Sequence, residues 1–184
     1  MMKKWLIPVG IIVLLCVMLI SGYNNLVMTS ESVNQNWSQV QNQLQRRADL
    51  IPNLVETVKG YAAQEKTVFT EVAEARAKLA GAETVADAAN ADQALTGSLG
   101  KLLAIVENYP QLKSDANFRA LQDELAGTEN RIATARMDYN NSVQSYNTKI
   151  KTFPTSLYAG ILGFRSRDYF KPTVNVENAP AVKF

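Results

Sequence analysis

The sequence predicts an all-α protein in which an N-terminal transmembrane helix leads into an antiparallel bundle of long helices, three or four according to what Pro52 does. Three observations predict it. From Trp5 to Ile20 the chain reads WLIPVGIIVLLCVMLI, and no charge falls between Lys4 and Glu31, enough for a helix of about 20 residues to cross a hydrocarbon core of roughly 30 Å. Beyond Tyr23, apolar or small residues recur three or four apart through most of the chain, the spacing that lines one face of an α-helix. Short connections around residues 81–90 and 108–114 separate these stripes. A helix cannot hide such a stripe alone, and short connections make antiparallel neighbours of consecutive helices.

The first segment, residues 1–23, reads as a cytoplasmic stub and membrane anchor. Pro8 and Gly10 sit in its first turns, where proline is tolerated. Bulky Leu19 and Ile20 before Ser21-Gly22 make a poor cleavage site, which favours a retained anchor over a removed signal peptide. Cys16 is the only cysteine, so no intrachain disulfide can form, and its place in mid-run suits a small lipid-facing residue. Lys3, Lys4 and the terminal amine flank one end, and no basic residue follows the other until Arg46. The positive-inside rule then keeps the N-terminus in the cytoplasm and the remaining chain across the membrane, with Trp5 and Tyr23 at the two interfaces.

Residues 24–164 form the predicted bundle. A stripe of Leu26, Val33, Trp37, Val40, Leu44, Ala48, Ile51, Val55 and Val58 continues through Ala62, Phe69, Val72 and Leu79 to Gly81. Its unbroken register favours one helix from about 24 to 80, kinked at Pro52. The alternative ends a helix there, with Asp49 as the next N-cap. A second helix carries Leu95, Leu99, Leu102 or Leu103, and Val106 and ends near Tyr109-Pro110, with Gly97 and Gly100 allowing close approach of a neighbour. A third, capped by Ser114 or Asp115, carries Phe118, Leu121, Leu125, Thr128, Ile132, Ala135, Tyr139, Val143, Tyr146, Ile150 and Phe153 and is stopped by Pro154. Its tyrosines read as a core seam, flanked by Asn140, Asn141 and Asn147; a buried asparagine there can fix packing register, although a surface position is the commoner fate.

Composition removes most chemistry. There is no histidine, hence no His-containing triad, no Cys/His zinc site and no imidazole switch near neutral pH. A net charge of +2 with both signs interspersed gives no footprint for nucleic acid. An enzyme would have to rely on carboxylates such as Glu71 with Glu74 or Asp123 with Glu124. Neither pair has a matching cluster, so no catalytic, cofactor or metal site is assigned.

In PTSLYAGILGF, residues 154–164, apolar residues return, and residues 165–184 form a basic, aromatic and partly flexible tail in which Val174 and Val176 suit a strand added to a partner. The simpler expectation is a short helix capping the bundle. The alternative is an interfacial segment, with Phe164 and Phe170 as apolar anchors and Arg165 and Arg167 facing headgroups.

Three ordered blocks carry a family resemblance. The stretch QRRADLIPNLVETVKGYAAQEKTVFTEVAEAR from Gln45 resembles the signature of the LemA family of bacterial membrane proteins, and ENYPQLKSDANFRALQDELAGTENRIATARMDYNNSVQSYN from Glu107 and FPTSLYAGILGF from Phe153 are similar to its later segments. The resemblance covers nearly the whole chain. It implies a membrane helix joined to a helical bundle, no enzymatic activity, no cofactor, and residence in the bacterial cytoplasmic membrane with envelope or membrane proteins, a membrane protease among them, as partners. The expectation is a non-enzymatic scaffold or adaptor that binds itself or such partners, with lipid binding or membrane remodelling as the alternative and a carboxylate-dependent hydrolase behind both. Candidate contacts are Arg46, Arg47, Asp49 and Pro52 in the first block and Phe164, Arg165, Arg167 and Phe170 near the C-terminus.

Overall fold

The computed structural model describes the backbone of residues 3–171 and the side chains of residues 8–171. The expectations for the side chains of Lys3, Lys4 and Trp5, and for a flexible tail with Val174 and Val176, lie outside the described residues. In chain order the elements are α1 (Lys3–Lys59), α2 (Lys66–Ala80), α3 (Val85–Val106), α4 (Pro110–Ser114) and α5 (Ala116–Lys151), then a 3-10 turn, Thr155–Leu157. No strand occurs among the described residues, and the all-α class holds. The chain divides into two compact units, Met1–Ser38 with Asp138–Arg167, and Gln39–Met137 with Asp168–Phe184.

The first unit pairs the start of α1 with the end of α5. Along α1, Val9, Ile12, Leu14, Val17 and Ile20 are all more than half exposed, and this helix is long and apolar enough to cross a membrane. So much contiguous apolar surface is untenable in water and natural in lipid. From Leu26 onward the pattern changes. Leu26 and Val33 of α1 and Tyr139, Val143 and Tyr146 of α5 are buried, and the Trp37 and Tyr139 rings lie 5.3 Å apart. One turn from the span, Lys149 Nζ donates to Asn25 Oδ1 and Thr29 Oγ1, both at 2.7 Å. Residue numbers rise along α1 as they fall along α5, so the two run antiparallel.

In the second unit, residues 39–59 of α1 pack with α2, α3 and residues 116–137 of α5. The chain reverses at Gly60–Glu65, which corrects both readings of the first long stripe. Helix α1 passes through Pro52 without ending, and the reversal is made by small residues: Gly60 N–H bonds Glu56 O, Ala62 N–H bonds Val58 O, and Glu65 N–H bonds Ala62 O. Periodicity missed this because Ala62 within the turn and Phe69 after it are both buried, so the stripe keeps its spacing while the chain changes direction. Asp49 is mid-helix rather than an N-cap, accepting from Gln45 Nε2 at 2.8 Å.

The caps of the later helices follow local chemistry. Thr84 Oγ1 accepts from Asp87 N–H at the start of α3, and Asp115 Oδ1 accepts from Phe118 N–H at the start of α5, satisfying donors that a helix leaves free. Gly97 and Gly100 are exposed, and a methyl group at either would meet nothing, so close packing is not their role. Helix α5 stops at Lys151, which leaves Phe153 outside the stripe and 80% exposed. The expected capping helix over 154–164 is instead a 3-10 turn followed by further turns, with Ala159 buried and Leu157, Ile161 and Leu162 open.

Candidate functional site

Arg46 and Arg47 are neighbours in sequence and opposites in environment, because successive residues of a helix point about 100° apart. Arg46 is exposed; its Nη2 lies 2.7 Å from Glu124 Oε1, and the same oxygen lies 2.9 Å from Arg131 Nη2. Arg47 is 5% exposed. Its Nη1 lies 2.8 Å from Asp92 Oδ1 and 2.7 Å from Glu129 Oε2, and the other Asp92 oxygen is 3.9 Å from Arg136 Nη1. Burial pushes the Asp92 carboxyl above the ordinary carboxylate range; Glu129 pushes the same way, while Arg47 and Arg136 pull against them. Arg47 Nε, buried in this node, has no hydrogen-bond partner among the described residues, and Glu129 Oε2 is engaged by charge alone, 2.7 Å from Arg47 Nη1. This node holds three helices of the second unit together.

Pro52 acts one turn away. An ordinary residue there would donate its N–H to the carbonyl of Ala48, and proline has none to give. Arg76 Nε of α2 makes that bond instead, at 2.9 Å. The defect in α1 thus becomes an attachment point for α2, and it explains how a proline sits inside a continuous helix.

The C-terminal candidates separate. Phe164 packs edge-on against Tyr23, ring centroids 5.8 Å apart, and Arg165 is exposed. Arg167 is held through its backbone: Asn147 Nδ2 donates to its carbonyl at 2.8 Å and its N–H donates to Asn147 Oδ1 at 2.9 Å. Asn147 is buried, contrary to the surface position expected for it. A groove of about 520 Å³ lies in this unit among Tyr23, Val27, Tyr146, Leu162, Phe164 and Arg167. Phe170 belongs to the second unit, where it is 2% exposed beneath the Arg136 guanidinium at 4.8 Å.

The carboxylate pairs do not converge on a reaction centre. Glu71 lies 2.7 Å from Lys101 Nζ, Glu124 is shared by two arginines, and Glu74 and Asp123 point to solvent. Among the described residues no group of three His, Cys, Asp or Glu side chains is placed to hold a metal ion. Sequence reasoning missed Asp92 and Arg76, and it named Asn147 without its bonds to Arg167. Asp92 left a signal, a charge amid the buried run Ala88, Ala91, Leu95 and Leu99. Arg76 left none, since its role depends on a carbonyl 28 residues away.

An apolar membrane helix, a bundle of long helices and buried charges that tie helices to one another define a membrane-associated helical-bundle protein. The LemA family signature matches residues 36–184, and the chain belongs to the LemA family. It is similar to magnetosome proteins MamQ 1 and MamQ 2 of Paramagnetospirillum magneticum, each 30% identical over an alignment of 179 positions, gaps included, that covers 83% of this chain and 66% of theirs. It is also similar to protein LemA of Metamycoplasma hominis, 26% identical over 140 residues, 75% of this chain and 64% of that one. The chain spans just under two thirds of the length of these relatives.

Proposed function

We propose that this protein is a non-enzymatic scaffold or adaptor of the bacterial cell envelope, anchored by α1 in the cytoplasmic membrane with its N-terminus inside and its bundle on the far side. It acts by binding a second copy of itself or other envelope and membrane proteins; a membrane protease is included on the family resemblance alone. One observation carries the reading: the buried charges tie helices to one another, Arg47 of α1 with Asp92 of α3 and Glu129 of α5, and the four candidate carboxylates do not converge, Glu71 and Glu124 being ion-paired and Glu74 and Asp123 exposed. Exposed positions of the first block, Arg46, Asp49 and Pro52, remain available to a partner, whereas Arg47 is buried.

Photo-crosslinkers at Arg46, Asp49 and Pro52 of the full chain, activated in intact cells, test the proposal. It expects one or more discrete adducts that recur between preparations; a strictly monomeric protein with no reproducible neighbour defeats it. Turnover of peptidoglycan, lipid or peptide by the purified chain, lost on Glu71→Gln, would put the hydrolase ahead. Lipid contact is the second reading, favoured by the open side chains that follow α5.

A further inference from the structure

The turn after α5 exposes an unusual set of side chains. Phe153 is 80% exposed, Leu157 66%, Ile161 86% and Leu162 48%, all within ten residues. Four large apolar groups open to water in so short a segment mark a contact surface rather than scattered surface hydrophobicity.

The position of the turn along α1 identifies what covers it. Tyr158 lies over Gly22 so closely that a methyl group there would overlap its hydroxyl, and Phe164 packs on Tyr23. Gly22 and Tyr23 end the apolar run that begins at Trp5. At 1.5 Å per residue that run rises about 27 Å, close to the thickness of the hydrocarbon core. Tyr23 therefore stands at the boundary between acyl chains and headgroups, and the turn is fixed at the same level. Its polar flanks agree: Lys151 precedes it and Arg165 follows it, both exposed, as basic residues at an anionic headgroup layer should be.

We propose that residues 153–162 rest in the interfacial layer of the leaflet on the bundle side, so that the chain meets the bilayer twice, by α1 crossing it and by Phe153, Leu157, Ile161 and Leu162 dipping into it. Tyr158, packed on Gly22, and Phe164, packed on Tyr23, are the struts that hold this foot against the span. Such a second contact restricts the tilt and rotation of a single anchor helix, which interfacial residues are known to set. The inference depends on α1 being a membrane span and holds for either orientation of the chain.

The test uses the full chain in a Cys16→Ser background, reconstituted in vesicles of phosphatidylethanolamine and phosphatidylglycerol. An environment-sensitive fluorophore is placed by Leu157→Cys or Ile161→Cys, with Ile12→Cys as the span control and Gln144→Cys, exposed on α5, as the aqueous control. Labels at 157 and 161 should be blue-shifted, quenched several-fold more by lipids carrying a shallow nitroxide than by aqueous iodide, and unlike the label at 144. A label at 161 as open to iodide as that at 144, while the label at 12 stays protected, overturns the foot and leaves the span intact. Loss of protection at 12 overturns the span reading itself. In a Phe153→Cys probe, Leu157→Asp with Ile161→Asp should abolish lipid quenching at unchanged far-UV helicity, because neither position is buried. Protection at 161 that disappears as protein is diluted in lipid, or efficient disulfide pairing of Ile161→Cys at high dilution, assigns the surface to a second copy and overturns the proposal.

Discussion

Replacing Arg47 by methionine removes the cation from a buried charge node and leaves Asp92 facing an apolar interior. Arg47 supplies the closest positive charge, 2.8 Å from Asp92 Oδ1, whereas Arg136 stands off at 3.9 Å, too far to take over. Removing one partner of a buried ion pair costs about 3–5 kcal/mol, most of it the desolvation left uncompensated on the other. Arg47→Met should therefore lower the unfolding free energy of the full chain, measured by urea titration in detergent micelles, by that much at neutral pH, and speed amide exchange along residues 88–99. Arg47→Met combined with Asp92→Leu removes the stranded charge and should recover most of the loss, since apolar replacement of a whole buried pair is often neutral or better.

The pH dependence carries the sharper test. The folded carboxyl of Asp92 titrates above its unfolded value, so between those two values the folded chain holds more protons than the unfolded one. Its contribution to stability therefore falls as pH rises through that window, which begins near the ordinary aspartate value of about 3.9. Without Arg47 the folded value moves further up. The deficit of Arg47→Met relative to the parent should then be greatest at neutral pH and shrink on acidification as Asp92 takes up its proton. A deficit independent of pH, or a double variant as unstable as the single one, would refute the reasoning.

Two further outcomes follow from the same structure. Arg76→Met should cost about 1–3 kcal/mol by leaving the Ala48 carbonyl unpaired, and much less in a Pro52→Ala background, where the helix supplies its own donor; a double-mutant cycle with no coupling would show that the bond repairs nothing. Asn147→Ala should cost a similar amount, concentrated as faster exchange of the Arg167 amide, and unchanged protection there would mean the two bonds to Arg167 are not formed in solution.

How far the sequence could be read varied by element. The apolar first helix was legible because an uncharged run of spanning length lies within one stretch of chain, and the third predicted helix because a clean stripe between Asp115 and Pro154 has local signals at both ends. The reversal at Gly60 was not legible. Two antiparallel helices can bury one continuous stripe, and a turn made by Gly60, Ala62 and Ala63 leaves the spacing undisturbed, whereas Pro52, the loudest local breaker, is accommodated by Arg76. The candidate contacts divided for a related reason: adjacent arginines carry the same composition signal, and only the packing of α3 and α5 makes one buried and the other exposed.

By itself, then, the sequence determined the helical class, the membrane segment and the absence of histidine chemistry, since each follows from composition or from patterns within one stretch of chain. Tertiary structure decided where the chain turns back, which charges are buried and which apolar groups stay open after α5. Those outcomes rest on contacts between residues far apart in the chain, such as Arg76 with Ala48, Asn147 with Arg167 and Tyr158 with Gly22, whose energies no local pattern records.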